Sequence, residues 1–161
     1  ATGWREHGPI LLFYWAPGCR RGAAAPAGRG RGAAYQAISV TDFFVGRYGR
    51  FDALAAKAVK EAKKRHPEVT LTLVLPYHPA LRPVDSPPGF DATYYPWENE
   101  HIPKRLAILK TNQRMVDTCD HLIAYAFHFL GGSGQIVAYA RKREEKGLIH
   151  VTNLAQQRSA I

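Results

Sequence analysis

The chain has 161 residues, 46% hydrophobic and 22% charged, enough for one domain that buries its core without staples. Twenty-two Lys and Arg against thirteen Asp and Glu give a net charge of +9, which suits a face that attracts anions. No apolar run approaches the ~20 residues of a membrane helix, so no membrane partner is expected. Two cysteines, Cys19 and Cys119, make neither a disulfide framework nor a zinc site, and a cytoplasmic location is the simplest expectation.

Residues 1–38 form an atypical basic segment, and an α/β domain is expected over 39–161. The first 40 residues carry five Arg, one Glu, no Lys and no Asp. The stretch APGCRRGAAAPAGRGRGAA (16–34) offers little to bury and much backbone entropy to lose. Three readings stand side by side: a disordered basic arm that touches nucleic acid, a secretory signal with Ile10–Trp15 as its apolar part, and an out-of-frame start to a normal domain.

From Val40 the texture changes. Val40–Val45 reads as a strand stopped by Gly46. Phe51, Leu54, Ala55, Ala58, Val59 and Ala62 fall on one helical stripe from Arg50 to Arg65, ended by Pro67. Val69–Leu75 is a second strand. Residues 76–103 hold seven of the eleven prolines together with several aromatics, which reads as an ordered lid. A helix follows from Pro103 to Thr118, then a strand His121–Phe127, a helix from Gln135 to Lys146 capped by Gly147, and a strand Leu148–Leu154. Alternating strands and helices predict a Rossmann-like open parallel sheet with helices on both faces. The four strands read are few, and a first strand is missing or altered in residues 1–38.

Two glycine turns sit where strands hand over to helices. In Gly46-Arg47-Tyr48-Gly49-Arg50-Phe51-Asp52, backbone N–H groups favour an anion, and Asp52 either caps the helix or accepts a ribose hydroxyl. In Gly131-Gly132-Ser133-Gly134-Gln135, three glycines in four residues open a helix, and Ser133 adds a hydroxyl donor. Neither is a Walker A loop or the dinucleotide G-x-G-x-x-G pattern. In a parallel sheet both turns project from the carboxyl edge, where ligands bind. Each turn also has a purely structural reading as a tight strand-to-helix connection. Arg47, Arg50, Lys104, Arg105 and Arg114 are candidates for phosphate contacts. The histidines show no metal-ligand pair at i, i+4, so no metal or cofactor is expected. Cys119, flanked by Asp117 and Asp120, reads as a packed core residue with a raised pKa.

The segments VGRYGRFDALAA, YPWENEHIPKRLAILKTNQRMVDTCD and HLIAYAFHFLGGSGQIVAYARKREEKGL, in this order, resemble the SLOG superfamily over Thr41–Leu154. This is the Rossmann-like group of the cytokinin-activating phosphoribohydrolases, DprA and the bacterial YpsA-like proteins. Asn112, Arg114, Met115, Val116, Asp117 and Asp120 match the YpsA-like helix and the turn after it. The resemblance implies a nucleotide-like small molecule held by Gly46, Gly49, Asp52, Gly131, Gly132, Ser133 and Gly134, and Arg50, Asn112, Arg114 and Gln135 complete the set of candidate ligand-binding residues. The chain departs from the family in three places. No Gly-His-Arg-like turn precedes Val40, Arg50 stands where glycine is common, and the phosphoribohydrolase G-G-x-G-T-x-x-E motif has Gln135 for its Thr and Ala138 for its Glu. The expectation is therefore ligand binding or sensing. A nucleoside monophosphate hydrolase, with Asp52, Asp117 or Glu98 replacing the lost carboxylate, and a DNA-binding accessory protein acting through the arm and Lys57, Lys60 and Lys64 are the alternatives. The sequence settles neither a catalytic residue nor the oligomeric state.

Overall fold

A computed structural model describes residues 11–15, 42–47, 50–98, 100–126 and 132–157. The elements in chain order are β1 (Leu11–Trp15), β2 (Asp42–Val45), α1 (Arg50–Arg65), β3 (Thr70–Val74), β4 (Ala92–Tyr94), a 3-10 turn (Lys104–Leu106), α2 (Ala107–Thr118), β5 (His121–Ala124), α3 (Gly132–Glu145), β6 (His150–Asn153) and α4 (Leu154–Gln157). The readings of residues 1–38 lie outside the described residues, apart from β1.

The six strands form one sheet in the order β4-β3-β2-β1-β5-β6. β2, β3 and β4 run parallel to one another, and so do β5 and β6. β1 is antiparallel to both of its neighbours, β2 and β5, so β2 and β5 point the same way with one reversed strand between them. The fold is an open α/β sheet of Rossmann-like kind. It departs from the expected all-parallel sheet at β1, and the described residues form six strands where the sequence reading counted four.

Helices cover both faces. Ala55, Ala56 and Val59 of α1 pack on Phe43, Val45, Leu71 and Ile123. On the other face, Met115 and Val116 of α2 and Ile136, Val137 and Ala140 of α3 pack on Val74, Leu122, Ala124 and Val151. Adjacent residues of β5 thus serve opposite layers, as the alternation of a strand dictates.

Two details differ from the sequence reading. The buried stripe of α1 is Asp52, Ala55, Ala56 and Val59, while Leu54 is 56% exposed and Ala58 is exposed. The helix is rotated so that the Asp52 carboxylate faces back to the turn that precedes it. Glu61 pairs with Lys64 at 2.9 Å. The proline-rich segment contains a strand the sequence reading did not place: its first part crosses over from β3 to β4, and its second part leads from β4 to the 3-10 turn. Asp91 anchors it by pairing with Lys63 and accepting the Leu71 N–H at 2.7 Å, and Phe90 lies under the Lys60 ammonium, 4.9 Å from Nζ to ring centroid. The Lys63 hydrogen bond, with that of Leu71, holds the Asp91 carboxyl below its ordinary pKa.

The end of α3 fits its glycine. Gly147 has φ +70°, Leu148 N–H donates to the Arg143 carbonyl at 3.0 Å, and Gly147 N–H donates to the Glu144 carbonyl at 2.9 Å, the bonding of a left-handed helix cap. A Cβ there would meet nothing within 4 Å. Gly147→Ala is therefore expected to lose about 1 kcal/mol through backbone strain alone, measured by urea unfolding.

Candidate functional site

The strands that lead into the two glycine turns end at one edge. Val45, the last residue of β2, pairs with Leu12, and Ala124, the last of β5, pairs with the adjacent Leu11. Their carboxyl ends are therefore two ladder spacings apart, about 10 Å. The connection is direct as well: Phe51 in the first turn of α1 stacks on Tyr125, which follows β5, with ring centroids 6.2 Å apart and planes 11° from parallel.

On the β2 side, Gly46 is half-buried and Arg47 is exposed. Asp52 is only 4% exposed. A Cβ built on Gly46 would lie 3.3 Å from Asp52 Oδ2, so glycine lets that carboxylate pack against the turn. A carboxylate in the first turn of α1 also suits the positive end of the helix. The carboxylate is thus packed against its own turn instead of standing open to solvent. Gly49 lies outside the described residues. Arg50 opens α1.

On the β5 side, Asn153 at the end of β6 does what the sequence reading missed. Its Oδ1 accepts the Ala126 N–H at 3.1 Å and the Ala155 N–H at 3.2 Å, and its Nδ2 donates to the Ala126 carbonyl at 3.0 Å. The side chain is buried, 5% exposed, and it clamps the backbone at the entry to the second glycine turn. An Asn that ends a strand beside another strand's exit was the signal available. Gly131 lies outside the described residues. Gly132, Ser133 and Gly134 form the first turn of α3, one turn earlier than expected, with Gly134 buried and Gln135 exposed. The first turn of α3 contains no acidic residue, whereas α1 carries Asp52. The amides at the start of α3 thus retain their positive potential.

The remaining candidates lie elsewhere. Arg114 on α2 is exposed, with its guanidinium 5.3 Å from the Trp97 ring centroid, and Asn112 is half-buried on the same helix. Neither makes a described contact with either turn. Asp117 accepts the Tyr139 hydroxyl at 2.6 Å and pairs with Arg143 at 3.2 Å near the far end of α2, and Glu98 is exposed. Among the described residues, no group of three His, Cys, Asp or Glu is placed to hold a metal ion, and no helix is long and apolar enough to cross a membrane.

The strongly shifted titratable groups mark the opposite edge of the sheet. Burial, helped by Asp120, pushes the Cys119 thiol up to about 12, as expected for a packed, unreactive cysteine. His121 begins β5 beside His150 of β6, with ring centroids 5.3 Å apart. Burial, and next the His150 charge, lower its pKa from 6.5 to about 4. Folding therefore favours neutral His121. Its contribution is fully present above pH 6.5 and is lost as pH falls from 6.5 towards 4, a loss on the order of 2 kcal/mol once solvent screening is allowed for. Urea unfolding between pH 7.5 and pH 4.5 should show this slope, and His121→Gln should flatten it.

A comparison with protein-family models gives no match, and a comparison with curated proteins gives none either.

Proposed function

We propose that the protein binds a nucleotide or nucleotide-derived small molecule in the manner of a SLOG-type sensing domain, with the ligand's phosphate at the first turn of α3. The Phe51–Tyr125 stack carries this reading, because it ties the first turn of α1 to the residue that follows β5, the strand that leads to the second glycine turn. The acid-free start of α3 supplies donors for a phosphate. Gly46 and the buried Asp52 shape the neighbouring wall. The aromatic pair offers a flat surface to a base or sugar. Binding asks for no catalyst, in keeping with Ala138 at the motif position of the phosphoribohydrolase Glu.

A thermal-shift series with 5′-mononucleotides tests the proposal. A ligand present at 100 times its Kd should stabilise the fold by about 2.7 kcal/mol, with no free base released. A flat melting temperature across the series would argue against it, and released base would move the reading to hydrolysis.

A further inference from the structure

A second cleft opens at the same sheet edge, over β3 and β4 rather than over β2 and β5. Leu75 N–H donates to the Tyr94 carbonyl at 2.8 Å. Beyond that bond the two chains diverge around a cavity of about 390 Å³, within the range of small-molecule sites. Residues of the 76–82 stretch form one wall, Tyr95 with residues 100–102 a second, and Lys104 with Ala107 a third.

The walls are held in place by specific contacts. Leu81 and Arg82 N–H groups both donate to the His78 carbonyl, at 2.9 and 3.0 Å. That turn folds Arg82 back, and its guanidinium carbon sits 4.0 Å from the centroid of the Tyr77 ring. Ala80 N–H donates to His78 Nδ1 at 3.0 Å, which fixes the imidazole, and the imidazole meets Tyr95 edge-on with centroids 5.2 Å apart. Behind the second wall, the buried Trp97 donates its indole N–H to Thr111 Oγ1 at 3.0 Å and so ties this wall to α2.

The charge in the cleft is not spent internally. Among the described residues, ion pairs engage Lys63, Lys64, Arg141 and Arg143, but neither Arg82 nor Lys104. Glu100 is the single carboxylate among the described lining residues. A guanidinium held over a tyrosine ring still carries N–H donors for a phosphate or carboxylate, and Tyr95 supplies an aromatic wall for a flat ring. We infer that this cleft is a second ligand site, which takes a small anion carrying one flat ring and holds it by Arg82 and Lys104.

Phenyl phosphate, titrated calorimetrically into the full-length protein, is the test. Binding is expected, tighter than that of orthophosphate. The double substitution Arg82→Ala/Lys104→Ala should weaken it roughly ten-fold or more; both residues are exposed, so the fold is expected to persist. Lys110→Ala, an exposed cation of α2 outside the cleft, should leave it unchanged. Gly132→Asp, which disables the proposed phosphate position on α3, should also leave it unchanged, so the two sites can fail separately. No binding to the wild-type protein, equal affinity after both cations are removed, or loss on Gly132→Asp alone would overturn the cleft as a site. Equal affinities for phenyl phosphate and orthophosphate would overturn the ring-binding half.

Discussion

Gly132→Asp is expected to abolish mononucleotide binding while leaving the fold as stable as before. Gly132 is the first residue of α3, whose first turn lacks any acidic side chain. An aspartate there meets amides that lack an intrahelical partner and the positive end of the dipole, which is favourable by roughly 0.3–1 kcal/mol. The same amides are then closed to a phosphate, and the new charge repels it. Hydrogen bonds to charged groups are worth about 1.5–3 kcal/mol each, so the loss of two should weaken binding by roughly a hundred-fold or more. Gly132→Asn separates the causes: it caps the helix without the charge and should fall between the two. Calorimetric titration with AMP, paired with urea unfolding of each variant, reads both quantities. Retained affinity in Gly132→Asp would place the phosphate elsewhere.

Asn153→Ala carries the largest expected stability cost. The wild-type amide satisfies both polar groups of Ala126 and the N–H of Ala155 from a buried position. Alanine leaves all three without that partner, at about 3–4 kcal/mol in total, a large share of the 5–15 kcal/mol typical of a domain. Asn153→Asp keeps the two N–H bonds, turns a carboxylate on the Ala126 carbonyl, and should lie between. The ligand effect should exceed what stability alone explains, because Ala126 is the last described residue before the second glycine turn. Urea unfolding and AMP titration at a temperature where both variants remain folded would separate the two losses.

Much of the architecture was legible in the chain. β2, β3, β5 and β6 announce themselves as β-branched and apolar runs, and Pro67 and Gly147 punctuate the helices where expected. β1 was not legible, because Leu11–Trp15 is five residues set in an Ala, Gly and Arg background and has the look of a leader's apolar stretch. Its antiparallel direction depends on long-range pairing with β2 and β5 that no local pattern reports. β4 is three exposed residues between Pro88 and Pro96, and only its ladder to β3 defines it. The stripe of α1 was misread by one position because periodicity counts apolar residues, whereas burial of Asp52 against Gly46 set the rotation of the helix. The glycine turns were visible individually. That β2 and β5 end at one edge depends on strand order, and the Asn153 clamp depends on β6 lying beside β5, so both required the folded sheet. The cleft over β3 and β4 was hidden for a similar reason: its basic and aromatic residues come from three segments that read as one proline-rich connection.

Amide chemical shifts measured by ¹H–¹⁵N NMR during titration with AMP test the phosphate position most directly. Gly46, Gly132, Ser133 and Gly134 should move together and saturate at one Kd, and inorganic phosphate should move the last three in the same direction. If AMP saturates the protein while those four signals stay in place, the ligand does not sit at the glycine turns and the account is wrong.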